Sequence, residues 1–133
     1  VWHSSWYNLP FAPETKNLFS ADEHRFGVHA GAVETSLMLA LAPERVAMQR
    51  AENFASSSQA RARDYAIIGN GSSAKLGWSM QDYNAQGAAG DASAASAEKG
   101  EALLQASGEL LAQMLQEISQ IPLNQVLGET KKL

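Results

Sequence analysis

The sequence predicts an α/β protein in which helix dominates, and three observations support that class. Of 133 residues, 45% are hydrophobic, yet 23 are alanine and only nine are Val or Ile. Alanine favours helix, and a shortage of β-branched side chains argues against an extensive sheet. Two long segments, 31–41 and 93–120, carry apolar side chains at helical spacing. Strand-type runs are short and confined to residues 1–9 and 65–68. The core available at this length suits one modest domain.

Taken in order, residues 1–9 read as a strand, with Trp2, Ser4 and Trp6 on one face and His3, Ser5 and Tyr7 on the other. Pro10 and Pro13 end it. A strand at the first residue, without an opening methionine, raises the expectation of chain upstream of Val1. Residues 14–27 read as irregular, with the polar cluster Asp22, Glu23, His24 and Arg25 near their end. In the helix expected over 31–41, Val33, Leu37 and Leu41 recur every fourth residue with Met38 beside them. Pro43 suits the first turn of a second short helix, with Glu44 at its positive end.

Residues 56–63 are small and polar and read as a loop. Gly69, Asn70 and Gly71 close the short strand expected at 65–68. The excursion over 74–89 holds Trp78, Met80, Asp82 and Tyr83 with little periodicity, which marks it as functional rather than spacer. The helix over 93–120 carries the stripe Leu103, Leu104, Leu110, Leu111, Met114, Leu115, Ile118 and Ile121, and Pro122 stops it.

Several function classes drop out. The net charge of −4 gives a nucleic-acid partner no electrostatic support. Absence of cysteine removes a disulfide framework, a thiolate metal site and a Cys nucleophile. No apolar run is long enough for a bilayer and no secretory signal opens the chain, so no membrane partner and a cytoplasmic location are expected. Gly69, Gly71 and Gly77 fit neither dinucleotide nor phosphate-loop spacing.

The chemistry-bearing residues gather in Asp22, Glu23, His24, His29 and Glu34. On one continuous helix, His29 and Glu34 would point ~140° apart, since five residues turn through ~500°. They converge if His29 precedes the helix, with Gly27 and Gly31 permitting the bend. Glu34 then lies in the first turn, where the helix dipole favours its carboxylate, and the pair can transfer protons. Spacing alone also fits a solvated histidine and a purely structural glutamate. A zinc site from His24, His29 and a carboxylate lacks any specific spacing, so no metal ligand is assigned within the chain.

The block His29-Ala-Gly-Ala-Val-Glu34-Thr-Ser, followed by an apolar helix and Pro43, resembles the creatininase (creatinine amidohydrolase) family. Ser4-Ser-Trp6-Tyr-Asn and the stretch from Gly77 through Asp91 to Gly100 agree with it. The resemblance implies a three-layer α/β/α fold with a mainly parallel sheet, of which residues 1–133 form a helix-rich, C-terminal part whose N-terminal half is absent. It implies a metal-dependent hydrolase of C–N amide bonds acting on a small cyclic or linear amide, assembled as a homo-oligomer. By the motif, His29 matches the catalytic histidine and Glu34 its acidic partner, while Trp6 matches a tryptophan of the substrate pocket. Arg25 stands where the creatinine-opening member carries a second pocket tryptophan, which argues against creatinine and hints at an anionic substrate group. Trp78 is a further candidate for the substrate pocket. The divalent pair (Zn or Mn) is expected to be held mostly by ligands outside this chain, because the family's Glu-x-His and His-x-Glu segments have no match here.

Two other readings remain open. One is a non-enzymatic relative serving as an oligomerisation or binding module. The other is an unrelated helical protein with a chance motif, in which His29 and Glu34 would stand more than about 5 Å apart, beyond proton-transfer reach.

Overall fold

A computed structural model describes residues 2–122 and Gln125. Among the described residues the α-helices run α1 (Pro13–Lys16), α2 (Ala21–Phe26), α3 (Ala32–Leu41), α4 (Ser57–Asp64), α5 (Met80–Tyr83) and α6 (Ala97–Gln120). Two-residue strands β1 (Asn53–Phe54) and β2 (Gly90–Asp91) pair antiparallel, Asn53 opposite Asp91 and Phe54 opposite Gly90.

The centre of the fold is the crossing of α3 and α6. Gly100 has no side chain, which lets α6 close onto the backbone carbonyl of Ser36. Fully buried Ser36 accepts the Ser96 amide through its Oγ at 3.1 Å, so α3 holds the chain just before α6. Ser96 in turn caps α6 by accepting the Lys99 amide at 3.3 Å. Below the crossing, Leu103 packs with Phe19 and Ala32, and Trp6, Phe11 and Val33 close around them. Full burial of a side chain such as Leu103 contributes about 2 kcal/mol. Further along α6, Leu111 and Leu115 are exposed. No helix among the described residues is long and apolar enough to cross a membrane.

Helix α3 matches expectation within one residue, and α6 ends at Gln120 as Pro122 requires. The N-terminal segment does not form the expected strand. It lies extended and exposed, then makes a 3-10 turn at Trp6–Asn8; Val1 lies outside the described residues. Strand propensity depends on a neighbouring strand to pack against, and among the described residues none pairs with this segment. The same holds for residues 65–68, which run into a 3-10 turn (Ile68–Asn70) with Ile67 and Ile68 exposed. The expected mainly parallel sheet is not formed among the described residues, where the two-residue ladder is antiparallel.

Four other segments are more ordered or shorter than their sequence suggests. Residues 14–27 include α1 and α2, which the Pro13 and Ser20 start signals set up. The polar stretch at 56–63 is helix α4, capped by Ser56 and braced by Arg61 donating to Ser57 at 2.8 Å. The start of the long helix moves from 93 to Ala97, because residues Ala92–Ala94 form a separate 3-10 turn. The helix expected at Pro43 is one 3-10 turn (Pro43–Arg45).

Candidate active site

The site is built where β2 approaches the N-terminus of α3. His29 is not helical: it pairs with Ala89 in an antiparallel bridge, its amide donating to the Ala89 carbonyl at 3.2 Å and its carbonyl accepting the Ala89 amide at 2.9 Å. Ala30 then adopts a left-handed conformation, φ 56°, and Gly31 begins the helix. Left-handed backbone is uncommon for a residue with a Cβ and is found mostly where surroundings force it. Here it turns the chain sharply enough to set His29 against the first turn of α3.

Glu34 fills that first turn and gathers two donors and the His29 imidazole. Its Oε2 accepts from the Ala30 amide and lies 3.1 Å from His29 Nδ1, while Oε1 accepts from the Tyr7 hydroxyl at 3.4 Å. Thr35 closes the turn by donating to the Ala30 carbonyl at 3.3 Å. With Nδ1 directed at a carboxylate, Nε2 is left as the nitrogen that can exchange a proton. The pair is not sealed, since the His29 and Glu34 side chains are 56% and 37% exposed. Partial burial, followed by the charge and hydrogen bond of Glu34, raises the Tyr7 phenol above its ordinary value of 10.0.

The pair borders a cleft of about 490 Å³, walled by Trp6, Tyr7, Phe11 and Phe19. A groove of about 570 Å³ on its other side shares Trp6, Tyr7, His29 and Glu34 and runs along Leu37 and Met38 of α3. Trp6 stacks on Tyr7 with ring centres 4.0 Å apart and meets Phe11 edge-on at 6.4 Å. An apolar wall with a few convergent polar groups is the usual makeup of a small-molecule site.

His29, Glu34 and Trp6 are therefore brought together, and the 3.1 Å contact excludes the wide separation expected of a chance motif. Arg25 and Trp78 do not line the cleft. Arg25 is exposed with its guanidinium 4.8 Å from the Phe26 ring, and Trp78 packs edge-on against Tyr83 at 5.1 Å. Tyr7 escaped the sequence reading because strand alternation puts it opposite Trp6, whereas the 3-10 turn stacks the two rings. Glu23 was grouped with the chemistry-bearing residues, but its role was not read. Its carboxylate is buried at 7% exposure and accepts the Val33 amide at 3.3 Å and the Asp91 amide at 2.9 Å. The signal that could have found it is glycine: Gly27, Gly31 and Gly90 all crowd this carboxylate.

The side chains present do not fit a metal centre. Among the described residues no three His, Asp or Glu groups stand close enough to hold an ion. Oxygens of Glu23 and Glu34 are engaged by amides, His29 and Tyr7, and His24 Nε2 meets the Lys16 carbonyl at 2.8 Å.

The family model for creatininase, described as creatinine amidohydrolase, matches residues 2–115. The chain belongs to the creatininase family. The chain is also similar to the crystal structure of a candidate creatinine amidohydrolase from Bacteroides fragilis NCTC 9343, with a TM-score of 0.67 and 28% identity. That similarity covers 90% of this chain and 43% of the other, so the chain spans less than half the length of the relative. No curated protein matches the chain. The block from His29 to Ser36, which carries the pair and the close contact with α6, lies inside the family match.

Proposed function

We propose that this chain supplies the proton-transfer machinery of a creatininase-type amidohydrolase that cleaves a C–N bond in a small cyclic or linear amide. The observation that carries the reading is the His29–Glu34 contact of 3.1 Å at the edge of an aromatic cleft. In hydrolysis, water adds to the amide carbonyl, the C–N bond breaks, and a proton from the water reaches the leaving nitrogen. His29 Nε2 is suited to carry that proton, because Glu34 holds Nδ1–H and stabilises the imidazolium that forms in passing. Tyr7 steadies the second oxygen of Glu34, so the carboxylate keeps its orientation as the imidazole changes charge.

In this reading the metal dependence implied by family resemblance comes from a zinc or manganese pair that would be held mostly by residues outside this chain. Trp6 supports recognition of a planar amide by offering a ring face at the cleft.

The test is turnover of a panel of small amides, creatinine included, by the intact protein and by its His29→Ala variant. The variant is expected to lose about 10²–10⁴-fold in kcat, the usual worth of a positioned acid–base group. Its fold should persist, because more than half of the imidazole is solvent-exposed. Equal turnover by the two proteins would remove the reading. Absence of any amide hydrolysis by the intact protein would favour a binding or oligomerisation module instead.

A further inference from the structure

Glu23 has no role in the proton transfer described above, yet it is the most enclosed carboxylate that touches the site. Its side chain leaves α2 and ends between α3 and β2 at 7% exposure. Burying an ionised carboxylate without a cation is costly, and among the described residues no Lys, Arg or His pairs with it. It is held by backbone amides instead. The Oε1 atom accepts from Val33, one residue before Glu34, and so caps α3 in place of Gly31, which has no side chain to do so. The Oε2 atom accepts from Asp91, two residues after the Ala89 that bridges His29.

The two oxygens of one carboxylate thus grip, separately, the segments that carry the two members of the pair. The surrounding glycines show how little room is left. A Cβ at Gly31 would stand within van der Waals overlap of Oε1, and one at Gly90 would meet the Gly31 Cα at 2.6 Å and Oε2 at 2.9 Å. Loss of the grip would free the Ala89 bridge to shift relative to the first turn of α3, next to the left-handed Ala30.

We infer that Glu23 is a positioning residue that sets the His29–Glu34 alignment, a role resting on the proton-transfer reading above. It acts through the backbone and does not touch substrate. The readout that separates this from general structural support is the imidazole itself. In the wild type, nitrogen-15 NMR of the intact protein should show His29 with its proton on Nδ1 and a downfield Nδ1–H resonance. Glu23→Gln keeps the shape of the side chain but turns an amide donor towards Val33 or Asp91. In a folded Glu23→Gln protein that signature is expected to vanish, with kcat falling about 100-fold while KM moves by no more than about twofold. A folded variant that keeps the wild-type His29 signature overturns the inference.

Should Glu23→Gln fail to fold, hydrogen exchange in the wild type decides. The amides of His29, Val33, Ala89 and Asp91 should open with one shared free energy, and independent opening of the α3 and β2 amides overturns the inference. Neither NMR nor exchange depends on turnover. An inactive intact protein with the expected His29 signature would therefore dismiss the proposed hydrolysis while leaving the alignment role standing.

Discussion

Replacing Gly100 by alanine sets helix propensity against the closest approach in the fold. Glycine inside a helix is worse than alanine by about 1 kcal/mol, so α6 considered alone would gain stability from the change. The structure demands the opposite. A Cβ at Gly100 would overlap the Ser36 carbonyl oxygen and lie 2.5 Å from its carbonyl carbon and 3.0 Å from the Ala40 Cβ. Two of these are backbone atoms that cannot rotate aside, so α3 and α6 must separate by roughly 1 Å to restore contact distances. Overpacking of this kind costs roughly 1–3 kcal/mol. Separation also stretches the Ser96-to-Ser36 hydrogen bond, which contributes about 1 kcal/mol. After the propensity gain, Gly100→Ala should destabilise the protein by about 1–3 kcal/mol. Gly108 lies in the same helix with nothing within 4 Å of its would-be Cβ, and Gly108→Ala should gain up to about 1 kcal/mol. Urea unfolding of both variants measures the two shifts under one protocol. A Gly100→Ala protein as stable as wild type would refute the close crossing of α3 and α6.

Other outcomes follow from the same contacts. Glu34→Gln should lower the Tyr7 pKa towards 10.0 without reaching it, since the first cause, partial burial, remains; ultraviolet phenolate titration referenced to Tyr7→Phe reads this directly. The neutral Tyr7 phenol favours the folded state, so its contribution is complete below pH 10.0 and fades as pH rises through the higher folded value. Denaturation midpoints that do not fall more steeply in wild type than in Tyr7→Phe over that range would contradict the assignment. Ser36→Ala removes the acceptor of the Ser96 amide at a fully buried position and should cost about 1–2 kcal/mol in thermal or urea unfolding, with site chemistry unchanged.

The parts of the fold that were legible in sequence are those whose stability is local. Val33, Leu37 and Leu41 declare α3 by spacing, and Pro122 declares the end of α6. The convergence of His29 on Glu34 was legible because helix geometry admits it only when His29 stands outside the helix, and the Ala89 bridge holds it there. Residues 2–9 and 65–68 were misread because their aromatic and β-branched side chains signal a strand that needs a partner strand to form. Helix α4 was invisible to periodicity because Gln59, Arg61 and Arg63 present no apolar stripe, and its Ser56 cap is a one-residue signal. The role of Glu23, though not its place in the polar cluster, was illegible for another reason: its partners are backbone amides 10 and 68 residues away, and no side-chain pattern records them.

The central claim is that His29 and Glu34 act as one unit, and a double-mutant cycle on kcat for amide hydrolysis by the intact protein tests it most directly. The account expects His29→Ala with Glu34→Gln to be no slower than His29→Ala alone, because Glu34 works only through the imidazole. Multiplying losses, with the double variant slower than either single one by the other's full factor, would contradict it.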